Sequence, residues 1–147
     1  MAYVFMSDAD GAQTWDADYG DNAVILQPGD FTAHVEMREL QHGPRLQEML
    51  SGITGNRLAP VETEFRVQLD DMPDEAVAYE EFAFATRIGG PPSWLQSEEW
   101  PNGGPWKLFI QLDSTRQLGD LNFGDAGVGY ALISIDGRHA RFLWQCC

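Results

Sequence analysis

Apolar residues in this chain come in short runs, and a turn former closes each one. Tyr3-Val4-Phe5-Met6 stops at Ser7-Asp8-Ala9-Asp10-Gly11, and Ala23-Val24-Ile25-Leu26 stops at Pro28-Gly29. Near the end, residues 129–135 and 140–145 are separated by Asp136-Gly137, a dipeptide that takes the backbone angles of a tight hairpin. No run approaches the roughly 20 apolar residues that span a bilayer. The runs predict strands at 2–6, 23–26, 31–37, 64–69, 107–112, 129–135 and 140–145, with Phe65, Val67 and Leu69 of the fourth facing inward. Residues 44–50 predict a short helix: Pro44 suits the first helical position, Leu46, Met49 and Leu50 share a face, and Gly52 ends it. Residues 74–82 fit a helix capped by Asp74 or an extended chain, and 88–92 reads as irregular. No linker or low-complexity stretch divides the 147 residues, so residues 1–147 are expected to form one domain, mainly β (α+β), with antiparallel sheets and few short helices.

One stretch echoes another. Tyr3-Val4-Phe5-Met6-Ser7, followed by Asp10-Gly11, matches Tyr130-Ala131-Leu132-Ile133-Ser134, followed by Asp136-Gly137, 127 positions later. Each copy leads to a strand ending in glutamine, Leu26-Gln27 in the first and Trp144-Gln145 in the second. An internal duplication is expected on that match, against the alternative that strand-turn-strand units look alike by chance.

Charge narrows the partners. Twenty-three acids against nine bases give a net charge of −14. Such a field repels phosphate backbones, so nucleic acid is not an expected partner, and a basic protein is. The acids are uneven: residues 1–37 hold no Lys or Arg but include Asp16 and Asp18, and residues 62–81 hold eight acids with Arg66 as the base. A solvated face accounts for such runs, and a docking surface for a basic partner is the functional alternative. Hydrophobic content of 44% and aromatic content of 12% fit a globular chain, with no expected membrane partner. No charged-then-apolar leader precedes the first strand, which predicts a cytoplasmic address.

The catalytic inventory is thin. His34, His42 and His139 stand in no pattern that sets them against a nucleophile, and no catalytic residue is assigned. Gly-x-Ser-x-Gly, the phosphate-cradling loop and His-Glu-x-x-His are all missing. Asp8, Asp10, Asp16, Asp18 and Asp21 gather carboxylates as a calcium loop does, but Gly11 comes too early and no Glu closes the loop. Cys146 and Cys147 are adjacent, so they are expected to stay reduced and to hold no zinc. Neither a metal nor a cofactor is expected. Trp94 and Trp100 fall in the Pro- and Gly-rich stretch 89–105, and Trp106 directly follows it. Core packing is the default for tryptophan, but three in and beside an irregular loop also suit anchors of a contact surface.

The order of motifs adds a resemblance. Ile88-Gly89-Gly90-Pro91-Pro92-Ser93-Trp94-Leu95-Gln96 comes first, then Phe109-Ile110-Gln111-Leu112-Asp113-Ser114, then Phe123-Gly124-Asp125-Ala126-Gly127-Val128-Gly129-Tyr130, and Phe142-Leu143-Trp144-Gln145-Cys146 ends the series. This series resembles the YwqG-like family of bacterial domains of unknown function, and its first two motifs are distantly similar to the eukaryotic programmed-cell-death-type chaperones of a ribosomal protein. Many relatives carry Cys-x-x-Cys where this chain has Pro101-Asn102-Gly103-Gly104. Relatives usually have residues before the first strand, so the chain is expected to be a shortened member or to have Met1 misplaced. The resemblance implies a mainly antiparallel β domain, no established enzymatic activity, and a protein binder: an immunity protein, chaperone or adaptor. The rival expectation is a hydrolase or small-ligand enzyme whose site is assembled from dispersed Asp, Glu and His. The motif residues themselves read as scaffold. Gly89, Gly90, Gly124 and Gly127 suit turns with positive φ, Pro92 stiffens its loop, Asp125 closes a turn, and Gln111 and Gln145 satisfy buried backbone groups.

Overall fold

The computed structural model describes residues 2–7, 13–27, 29, 47–52, 55–60, 68–71, 84–114 and 123–147, with 47–52 and 56–60 as backbone alone. They form eight strands: β1 (Ala2–Met6), β2 (Asn22–Leu26), β3 (Gln47–Gly52), β4 (Gly55–Pro60), β5 (Arg87–Ile88), β6 (Trp106–Asp113), β7 (Val128–Ser134) and β8 (Ala140–Gln145). Every pairing is antiparallel: β1 with β2, β3 with β4, and a four-stranded sheet in the order β5-β6-β7-β8. No helix occurs among the described residues, and the fold is mainly β.

The four-stranded sheet is the centre because β7 is apolar on both faces. Val128, Tyr130 and Leu132 join Leu108 and Leu143 on one face, where Ala17, Trp94, Leu95 and Trp106 cover them. Ala131 joins Phe123 and Phe142 on the other, where Val4, Met6 and Val24 of β1 and β2 pack. Gly129 leaves room for that second cluster: a Cβ there would lie 2.7 Å from the Phe142 ring and 2.8 Å from Phe123. Around this core the described residues therefore stack a layer of loop, the central sheet and the β1–β2 pair. The connection from β1 to β2 reaches both faces of β8, with Ala17 on the first cluster and Trp15 edge-on to Trp144.

An irregularity in β6 decides which side chains reach which face. The β6–β7 register slips between Leu108 and Ile110. Before the slip Trp106 and Leu108 face the Tyr130 cluster; after it Ile110 and Leu112 face the Phe142 cluster. An extra residue in one strand shifts the alternation by one. Gln111 thereby becomes the cross-strand partner of Tyr130, on the Tyr130 face.

The echo between the chain ends extends to the ladders. Tyr3 pairs with Ile25, two residues before Gln27, and Tyr130 pairs with Leu143, two residues before Gln145. The phase matches too: Ser7 N donates to Asp21 O at 3.2 Å, and Ser134 N donates to His139 O at 2.9 Å. Equal register and equal phase put matching positions on matching faces. Val4 and Val24 correspond to Ala131 and Phe142, so the two pairs pack through their equivalent faces.

Three sequence expectations are corrected. Residues 47–50 are not helical; Gln47–Gly52 is a strand paired from Gln47↔Pro60 to Gly52↔Gly55. Three apolar residues in a seven-residue window cannot offset helix nucleation, whereas two glycines flanking a two-residue connection suit a hairpin, and Gly55 has φ 118°. Leu69 does not face inward: it is 69% exposed, outside any strand, directly before Asp70 and Asp71, whose hydration keeps the stretch in solvent. The expected strand at 31–37, residues 64–67 of the next one, and the ambiguous 74–82 lie outside the described residues. Ile88, expected irregular, pairs with Ile110 in the two-residue β5 before the bend at Gly89.

Candidate functional site

Three buried side chains on the central sheet hold a segment that belongs to no strand, residues 93–97. Ser93 N donates to Gln111 Oε1 at 3.0 Å. The Tyr130 hydroxyl donates to Ser93 O at 2.9 Å and accepts from Leu95 N at 3.0 Å. Gln145 Oε1 accepts from Gln96 N at 3.1 Å, and Gln145 Nε2 donates to Ser97 O at 2.9 Å and to Glu99 Oε2 at 3.0 Å. Gln111 Nε2 donates to Ala85 O at 3.1 Å. An amide carries donor and acceptor together and a phenol does both with one oxygen, so each suits reading main chain rather than side chain. Arg87 braces the entry, donating to Gly89 O at 3.2 Å, Pro91 O at 2.6 Å, Ser93 Oγ at 3.0 Å and Gln111 Oε1 at 3.2 Å.

The electrostatics follow from burial. Burial pushes the Tyr130 hydroxyl up to about 12, against the opposing pull of the Leu95 amide and the Arg87 charge. Desolvation lowers the Arg87 guanidinium from its usual value. The Trp94 ring lies 4.7 Å from the Tyr130 ring and closes the segment over it.

The three candidate tryptophans separate by depth. Trp94 and Trp106 are half-buried against the first core cluster. Trp100 is 39% exposed, edge-on to Trp94 at 5.2 Å, and donates to Glu98. Trp106 Nε1 donates to Pro101 O at 2.8 Å, and the Arg141 guanidinium lies 5.8 Å above its ring. Asp16 and Asp18 are tied into the β1–β2 connection. Asp16 Oδ1 accepts from Asp18 N at 2.8 Å. Asp18 accepts from Asn102 N at 3.2 Å and Asn102 Nδ2 at 2.9 Å, and pairs with Arg141 Nε at 3.5 Å. Beside that pair lies an open cleft of about 280 Å³, lined by Ala17, Asp18, Asn22, Val24, Ala140 and Arg141 among others.

The motif residues have distinct reasons. Gly89, Gly90 and Gly124 hold positive φ, at 72°, 76° and 80°. Gly127 does not, which corrects the expectation; a Cβ there would fall 1.8 Å from Phe123 O, so close backbone approach demands the glycine. Asp125 offers its carbonyl to Cys147 N at 3.2 Å. Pro92 is half-buried where the segment enters the cradle.

Sequence reasoning missed a second surface. The outer face of β1 and β2 carries Tyr3, Phe5, Ala23 and Ile25, all exposed, with Phe5 at 51% and Ile25 at 52%. Tyr3 and Phe5 stack at 6.4 Å, and the Tyr3 hydroxyl donates to Gln27 Oε1 at 3.1 Å. The signal was in the echo, because Tyr3 and Gln27 match Tyr130 and Gln145.

His139 is exposed on the turn after β7, while His34 and His42 lie outside the described residues. Among the described residues no three of His, Cys, Asp and Glu gather as metal ligands. Cys146 and Cys147 are free thiols. Among the described residues no helix is long and apolar enough to cross a membrane. No protein-family model, no curated protein and no solved structure matches this chain.

Proposed function

We propose that the chain is a protein-binding module for a basic partner, working as an immunity protein, chaperone or adaptor. One observation carries this reading: a strand pair of a −14 chain turns Tyr3, Phe5 and Ile25 to solvent within a stretch, residues 1–37, that has no Lys or Arg. Aromatic and aliphatic side chains supply the energy of an interface once water leaves them, and surrounding acids speed the approach of a positive surface. The field decays over a Debye length of about 8 Å at physiological salt, so charge steers and the apolar face holds. The order of motifs that resembles the YwqG-like domains points to the same class.

The test is capture from a cell lysate at low and high salt, with the captured proteins identified and their kinetics measured. Basic proteins whose association slows as salt rises are expected. Replacing the exposed Asp70 and Asp71 by Asn should lower the association rate and leave dissociation nearly unchanged. An acidic captured partner, or an association rate that ignores salt, would overturn the reading.

A further inference from the structure

The cradle that holds residues 93–97 and the open face of β1–β2 are built on the same plan. Tyr130 and Tyr3 hold equivalent ladder positions, as do Leu143 and Ile25, and Gln145 and Gln27 follow two residues later. Leu132 and Phe5 stand two residues past each tyrosine on the same faces. In the β7–β8 pair this face is covered: Trp94 and Leu95 pack on it, and Tyr130 and Gln145 bind the main chain of Ser93, Leu95, Gln96 and Ser97. In the β1–β2 pair the same face is open, with the tyrosine 37% exposed.

We infer that the outer face of β1–β2 is the docking site for a short non-strand segment of the basic partner, carrying a large aromatic residue and held as the β7–β8 pair holds residues 93–97. The inference rests on the proposed function for the partner's charge, and adds where that partner binds and in what conformation. What the second half of the molecule does with its own chain shows which chemistry fits. A phenol and an amide on this spacing read main-chain N–H and C=O groups of a non-strand segment, so recognition tolerates sequence. The neighbouring apolar side chains take the aromatic. Phe5 is larger than Leu132 and stacks with Tyr3, so the surface offers more ring area to the incoming residue. Docking exchanges the bond from the Tyr3 hydroxyl to Gln27 for one to the segment's backbone.

The probe is a fluorescein-labelled peptide that copies residues 91–97 between flanking lysines, titrated with the full chain and followed by anisotropy. Binding is expected to weaken at least tenfold in Phe5→Asp and in Ile25→Asp, and severalfold in Tyr3→Phe. The two aspartate variants replace exposed side chains, and an unchanged melting temperature verifies their folds. The same peptide with alanine in place of tryptophan should bind at least tenfold more weakly. No binding, or binding that Phe5→Asp and Ile25→Asp leave intact, overturns the inference. Intact binding in those variants, lost on replacing the flanking lysines by glutamate, would leave the basic-partner reading standing and remove only the site. A glutamate-flanked peptide that binds as tightly and still needs Phe5 would overturn the basic-partner reading and keep the face. Sedimentation of the chain alone decides the remaining case: a dimer that Phe5→Asp dissolves makes a second copy the occupant and overturns the inference.

Discussion

The Tyr130 hydroxyl sits between Ser93 O and the Leu95 amide with no exposed surface of its own residue. Tyr130→Phe keeps the ring against Trp94 and removes both bonds, leaving a half-buried donor and acceptor without that partner. Urea unfolding should show a loss of about 1–3 kcal/mol. The same hydroxyl gives stability a pH dependence. Its folded pKa is raised from 10.0 to about 12, so the folded state keeps a proton that the unfolded chain releases. That contribution is whole below pH 10 and disappears as pH rises from about 10 to about 12. The urea midpoint of the wild type should therefore fall more steeply over that window than that of Tyr130→Phe. Equal slopes would assign the alkaline loss to other groups. At Gly127 the argument is steric: a Cβ overlapping Phe123 O cannot be relieved by rotating a side chain, so Gly127→Ala must shift the backbone before β7. Its cost should reach or exceed the roughly 1–3 kcal/mol of overpacking, measured by the same unfolding curves.

At the scale of elements, the β7–β8 connection is held by the side chains of Ser134 and Asp136. Ser134 Oγ accepts from Arg138 N at 3.2 Å and His139 N at 3.0 Å, and donates to Asp136 Oδ1 at 2.5 Å. That hydroxyl, followed by the Arg138 amide, holds the Asp136 carboxyl below its usual range. A depressed carboxyl contributes stability above its unfolded value and loses it as pH falls through the folded one. Ser134→Ala should cost about 1 kcal/mol at neutral pH and flatten the acid limb of the stability profile. The Asp136-Gly137 signal was legible because turn chemistry is local: Gly137 takes φ 70° and donates to Ser134 O. The window 44–50 misled because a few apolar residues fit both a helix face and a strand, and only pairing with Gly55–Pro60 decides between them.

Across the whole molecule, −14 charges on 147 residues repel one another in the folded state. The unfolded chain spaces them farther apart, so screening stabilises the fold. The melting temperature at neutral pH should rise as sodium chloride goes from trace to physiological concentration, and fall again if the net charge is raised with further acids. A melting temperature indifferent to salt would mean that local ion pairs such as Asp18–Arg141 offset the net field.

The existence of β1, β2, β6, β7 and β8, the antiparallel class and the last hairpin were determined by the sequence itself, because alternation, β-branching and turn dipeptides act within a few residues. Ala2–Met6 and Ala140–Gln145 keep their expected bounds, β2 gains a residue at one end, β6 gains one at each end, and β7 is shifted by one. The tyrosine–glutamine match between the chain ends was legible as letters, yet its meaning was not. Only the tertiary structure decided that one copy is covered by residues 93–97 and the other faces solvent. It alone placed Gln111 beneath Ser93, since the irregularity at Phe109 moves every later side chain of β6 to the opposite face. The reason is physical: which face of a strand is buried depends on what packs against it, and those partners lie far along the chain.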